Sequence, residues 1–177
     1  MNVRSPDANL PWPQWAYEPG EANAADADYE TLAMAKALVP SAFRGYVPAR
    51  HPALRYGLAL NDRGYFWESQ EVLEVVFAAA PQSGRERILL RACIHIAHAN
   101  LRLRMGRPHS AVRLFGDALN ELRTLRARKV TAAGDGFADG FPAAPLTTLL
   151  QARIARPNLS KADWIALGTV TSTQSPA

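Results

Sequence analysis

Residues 84 to 105 read Gly-Arg-Glu-Arg-Ile-Leu-Leu-Arg-Ala-Cys-Ile-His-Ile-Ala-His-Ala-Asn-Leu-Arg-Leu-Arg-Met. Side chains three, four and seven apart share one face of a helix. At that spacing Leu89, Cys93, Ile96 and Leu103 form one apolar row, and Leu90, Ile94, Ala97 and Leu101 form a second beside it. A helix apolar over most of its circumference belongs in the middle of a bundle. What remains is a single polar stripe, Arg91, His95, His98 and Arg102, which must face water or meet polar partners on a neighbouring helix.

The rest of the chain supplies helical neighbours. Periodicity and stop signals predict helices over 29–38, 52–62, 65–80, 84–105 and 108–128, with shorter ones over 146–155 and 162–167. Pro52 and Pro108 suit first helical turns, and Gly64 and Gly106 suit helix ends. Ser83 with Glu86, and Ser160 with Asp163, have the spacing of N-terminal caps. No convincing period-two strand occurs, so the expected fold is all-α: a compact bundle of antiparallel helical hairpins with an extended N-terminal arm. The expected organisation is an arm over 1–25, a bundle over 26–129, a Gly-, Ala-, Asp- and Pro-rich linker or loop over 130–145, and short helices with a frayed tail over 146–177. Trp12, Trp15 and Tyr17 of the arm are expected to dock, because exposed tryptophan is costly. An offset of 42 aligns Gly64 with Gly106, Ser69 with Ala111, Leu73 with Phe115 and Phe77 with Leu119. That faint repeat reads as two helix–glycine–helix hairpins.

Composition excludes some classes. The chain has 177 residues, 48% of them hydrophobic, and no apolar run approaches the roughly 20 residues of a membrane span. The acidic, proline-containing start is unlike a secretory signal. A single cysteine, Cys93, in an apolar row implies no disulfide framework and fits a reducing cytoplasm. The net charge of +4 conceals an asymmetry. Residues 1–84 carry 6 basic and 10 acidic side chains, whereas the stretch opened by Arg85 and closed by Lys129 carries 11 and 3. That stretch permits weak, non-specific nucleic-acid binding, although no nucleic-acid motif accompanies it. A protein partner or a second copy of the chain is the other expected contact.

On the helix over 65–80, Trp67, Gln70, Glu74 and Phe77 line up beside the apolar face, so an amide and a carboxylate lie between two aromatics. Paired with the stripe of the next helix, this predicts a polar cluster of Gln70, Glu71, Glu74, His95, His98 and Arg102, flanked by Trp67 and Phe77. The segment Phe66-Trp-Glu-Ser-Gln-Glu-Val-Leu-Glu resembles the signature of the family catalogued as domain of unknown function 309, usually Phe-x-Glu-Ala-His-Glu-Val-Leu-Glu followed shortly by Trp. The stretch over 90–107 is similar to that family's second signature, and Tyr17-Glu-Pro-Gly resembles the Tyr-x-Pro-Gly arm of some members. The resemblance covers about residues 52–122. It implies a compact α-helical bundle and no established activity. Against the family pattern, Gln70 replaces a histidine, His95 a glutamine, Arg102 a later histidine and Phe77 a tryptophan, while Glu68, Glu71 and Glu74 are kept.

Two readings of the cluster follow. Glu71, Glu74, His95 and His98 are plausible ligands for zinc or iron, or acid–base groups of a hydrolase. Glutamine is a poor ligand, however, and Arg102 would bring positive charge to the cation. The structural reading is a buried Glu74–Arg102 ion pair, with Gln70 and His95 meeting the remaining hydrogen bonds. It makes the domain a non-catalytic interaction or scaffold module, with no metal and no cofactor expected. A small-molecule or peptide pocket is a third use of the same cluster. His109 is expected to be exposed and Cys93 to be core.

Overall fold

The computed structural model describes residues 10–20, 26–130 and 134–168. Among the described residues seven α-helices run in order: α1 Tyr29–Lys36, α2 Pro52–Asp62, α3 Phe66–Ala79, α4 Arg85–Arg104, α5 Pro108–Ala127, α6 Phe137–Gly140 and α7 Ala143–Ala155, followed by a 310 turn at Lys161–Asp163. Among the described residues there is no strand, only a lone bridge between Pro48 and Gly136. The fold is all-α. The frayed tail expected beyond residue 168 lies outside the described residues, as do residues 1–9 and 21–25 of the arm.

Two hairpins dominate, α2–α3 and α4–α5, with α3 against α4 and α7 against α5. Each turns on a glycine in the left-handed region, Gly64 at φ 86° and Gly106 at φ 70°, a conformation that costs other residues energy. The aligned small positions Ser69 and Ala111 are both fully buried. Ser69 Oγ donates to the Gly57 carbonyl at 2.7 Å, which draws α2 and α3 together. A Cβ on Gly57 would stand 2.7 Å from Leu73 Cδ2, so this close approach needs glycine.

Leu73, Val76, Cys93, Ile96, Phe115 and Leu119 share the main core as the periodicity predicts. Ile94 is half-buried against that core, and Ala97 and Leu101 are buried outside it. A second cluster lies beneath the arm and joins Leu10 and Trp12 to Leu32, Tyr56, Leu60 and Val72. Trp12 stacks on Tyr56 at 5.6 Å, and the Tyr56 hydroxyl donates to the Pro11 carbonyl at 2.8 Å. Tyr17 meets Trp67 edge-on at 4.9 Å. Trp15 stays 41% exposed although its indole N–H reaches the Asp26 carbonyl, so docking of the arm leaves one of its three aromatics at the surface.

The structure departs from the sequence reading at several places, among them the start of α7, which lies at Ala143 and so inside the expected linker. Residues 137–140, inside the expected linker, form α6, because Phe137 and Phe141 pair edge to face at 5.4 Å and enter the main core. Gly84, not Ser83, caps α4 and makes no side-chain bond there. Glu86 is buried instead, close against Gly136, where a Cβ would lie 2.6 Å from Glu86 Oε1. The helix expected over 162–167 is only the 310 turn, capped as predicted by Ser160 with Asp163.

The segment after that turn is held by amides. Asn100 Nδ2 donates to Asn61 Oδ1 and to the Ile165 carbonyl, both at 2.8 Å, and Asn100 Oδ1 accepts from Ile165 N at 2.8 Å. Asp62 accepts from Leu167 N at 2.6 Å and Gly168 N at 2.5 Å. Both asparagines are fully buried, so each lost bond strands a polar group away from water. Asn100→Ala is therefore expected to lower stability by about 3 kcal/mol with helix content retained. Urea unfolding with an unchanged denaturant slope checks this, and a loss below about 1 kcal/mol would contradict it.

Candidate functional site

Among the described residues no hydrogen bond or ion pair joins the α3 members of the predicted polar cluster to its α4 members. Glu74 is exposed, and its carboxyl is shifted upward by partial burial and by Glu71, with Lys36 opposing. Glu71 pairs with Lys36 Nζ at 2.9 Å across α1 and α3, with both side chains partly exposed. Gln70 Nε2 donates back to the Phe66 carbonyl of its own helix at 3.3 Å. On α4, His98 Nε2 accepts from Arg102 Nε at 3.3 Å, and burial followed by the charges of Arg102, His95 and Arg113 lowers its pKa. The carboxylates thus share surroundings with α1, and the histidines with Arg102 and α5. Glu74 and Arg102 form no ion pair, which corrects the expectation of a buried one. The aromatic flanks also part company. Trp67 meets the rings of Tyr17 and Tyr29 near-perpendicularly, while Phe77 carries Arg87 at 4.1 Å and Arg91 at 5.2 Å.

The buried carboxylate of α3 is Glu68, which is fully inaccessible. Glu68 occupies the first helical turn, where the helix dipole favours an anion. Tyr17 N donates to its two oxygens at 3.0 and 3.3 Å, so Glu68 grips the arm. Burial raises its pKa to about 7, against the opposing pull of the Tyr17 amide and the Arg104 charge, while Asp28 adds to the rise. Tyr56 on α2 lies in the same electrostatic neighbourhood. A local row count on α3 could not single out Glu68, because its partner is 51 residues away. The resemblance at Tyr17 was the available signal.

Arg104 closes α4 and reaches across the hairpins. Its Nη1 donates to the Gly64 carbonyl at 2.5 Å, and its guanidinium lies 4.2 Å over the Phe66 ring. Other arginines of the basic stretch are similarly engaged with the protein. Arg87 caps α3 through the carbonyls of Phe77 and Ala80, Arg128 binds the Ser83 carbonyl, Arg85 lies 3.9 Å from Asp139, and Arg91 pairs with Glu121. Much of the positive charge counted in the sequence therefore serves internal contacts. No helix among the described residues is long and apolar enough to cross a membrane.

Two outcomes follow. The unfolded chain releases the Glu68 proton near 4.5 and the folded chain near 7. Between those values the folded state binds more protons, so the Glu68 contribution to stability falls as pH rises through the window. Glu68→Gln keeps an acceptor for Tyr17 N and removes the titration. Urea unfolding from pH 4.5 to 8 is expected to show a smaller fall for Glu68→Gln than for wild type, and parallel curves would refute the assignment. A double-mutant cycle on Glu74→Ala and Arg102→Ala is expected to be additive within about 0.5 kcal/mol.

No curated protein and no solved structure matches the chain. Residues 54–114, running from α2 into α5 and including Glu68, Gln70 and Arg104, match the model of the family described as Domain of unknown function (DUF309), and over that stretch the chain resembles this family.

Proposed function

We propose that this domain is a non-catalytic helical interaction module with a structural polar network between its central helices. The observation that supports it is the internal partnering of buried acids, amides and a hydroxyl, with Trp12 Nε1 and Arg85 Nε buried without a partner. Glu68 holds Tyr17 N, Ser69 holds the Gly57 carbonyl, Asn61 and Asn100 hold each other and Ile165, and Asp62 holds the amides of Leu167 and Gly168. Each of these side chains fixes a segment of this chain. A hydrolytic or metal-binding role for Glu71, Glu74, His95 and His98 would need those groups to converge. Among the described residues no group of three or more His, Cys, Asp or Glu side chains is arranged to hold a metal ion.

Exposed large hydrophobic side chains on and near α1, Tyr29 (58% exposed), Met34 (50%), Leu38 and Trp15, are available to a contact of such a module. The contact expected of such a module is with a partner protein or a second copy of the chain. Arg113, Arg123 and Arg126 of α5 add weak, non-specific attraction for nucleic acid. A fully buried thiol as the sole cysteine suits a reducing, cytoplasmic setting.

Metal content and stability test the reading together. The quadruple variant Glu71→Ala, Glu74→Ala, His95→Ala, His98→Ala is expected to fold, and neither it nor the wild type is expected to carry metal in stoichiometric amount. Stoichiometric zinc or iron in the wild type, lost in the variant, would overturn the proposal in favour of the enzyme.

A further inference from the structure

Two adjoining clefts open where the arm, the α4–α5 turn and the 310 turn meet. One, of about 370 Å³, lies between Glu18–Gly20 of the arm and the side chains of Arg104, Arg107 and Lys161. The other, of about 310 Å³, shares Arg104 and Lys161 and extends to Phe66 and Trp164. We propose that the pair forms a binding site for a small phosphate ester carrying a flat ring, with the phosphate among Arg104, Arg107 and Lys161 and the ring beside Trp164.

Three cations converge on the first cleft, Arg104 and Arg107 from the α4–α5 turn and Lys161 from the 310 turn, and the acidic side chain among its lining residues is Glu18, whose charge acts on Arg104. Like charges brought together repel unless a counter-charge sits between them. Arg107 and Lys161 are exposed, and among the described residues neither side chain makes a hydrogen bond or ion pair. Asp62, which lines the second cleft, is already engaged, because its oxygens accept from Asn61, Leu167 and Gly168.

Arg104 is prearranged for an anion. The Gly64 carbonyl and the Phe66 face fix its guanidinium, yet they engage one N–H and one face of a planar group with five donors. Gly64 is fitted to it, since a Cβ there would stand 2.8 Å from Arg104 Nη2. A guanidinium held in place binds phosphate through parallel N–H bonds with little loss of freedom. The neighbouring cleft offers the half-buried Trp164, packed 5.7 Å from Phe66, as a wall for a planar ring. Glu68 contributes at a distance, because its hold on Tyr17 N sets the position of the arm residues Glu18–Gly20 that form the opposite wall.

Isothermal titration calorimetry on the full chain at low ionic strength tests this with adenosine monophosphate, adenosine and inorganic phosphate as probes. Adenosine monophosphate is expected to bind, with adenosine and inorganic phosphate each weaker by about tenfold or more. Arg107→Gln and Lys161→Gln are each expected to weaken the nucleotide by about tenfold, with the melting temperature of the free protein unchanged. Binding is also expected to weaken as salt is raised. No binding of adenosine monophosphate at millimolar concentration by the folded protein would overturn the proposal, as would affinity untouched by both substitutions. Inorganic phosphate binding as tightly as the nucleotide would overturn the assignment of the second cleft to a ring.

Discussion

The burial of α4 governs this molecule. It packs against α3, α5, α6 and the 310 turn, so few of its side chains reach water, and a polar group on it must find a partner of fixed geometry. Asn100 does so with three hydrogen bonds, and in satisfying itself it determines where the chain after the 310 turn can lie. Arg104 does so at the helix end by reaching the turn of the other hairpin. The two hairpins are thus joined by a guanidinium on a carbonyl as well as by apolar contact, and the glycine at that turn leaves room for the guanidinium.

Glu68 follows a related logic at higher electrostatic cost. An apolar residue in its place would pack without a desolvation penalty but would leave the Tyr17 amide without its acceptor. The carboxylate accepts that penalty and in return directs the arm across Trp67 and Tyr56. Docking of the arm therefore combines stacked aromatics with one buried hydrogen-bonded acid. The aromatics supply area, and the acid supplies position.

The helices were legible in the sequence because their signals are local. α2 begins at its proline and ends at Asp62 as the pattern predicts, and α3, α4 and α5 fall within a residue or so of their expected ends. α6 was hidden, because glycine, alanine and aspartate around Phe137 and Phe141 look like loop until the core they enter is known. The Ser83 cap failed for a similar reason, since Glu86 turns inward toward the loop around Gly136. On α3 the fully buried carboxylate is Glu68, which lies outside the row that the periodicity picks out. Glu74 shares a row with Gln70 and Trp67, but burial on α3 is decided jointly by α2, α4 and the arm. A row count on two helices cannot weigh partners from residues 10 to 20. Gln70, where the family signature usually has a histidine, bonds back along its own helix.

Cys93 shows what the close packing of α4 means for the kinetics of the chain. Its thiol is wholly enclosed, and burial pushes its pKa far above the usual cysteine range, so in the native state almost no thiolate is present to react. As the sole cysteine it is a clock built into the centre of the molecule. An alkylating reagent can modify it only when α4 separates from its neighbours. The labelling rate therefore counts openings of the core and ignores movements of the arm, separating the breathing of the bundle from the coming and going of the segments attached to it.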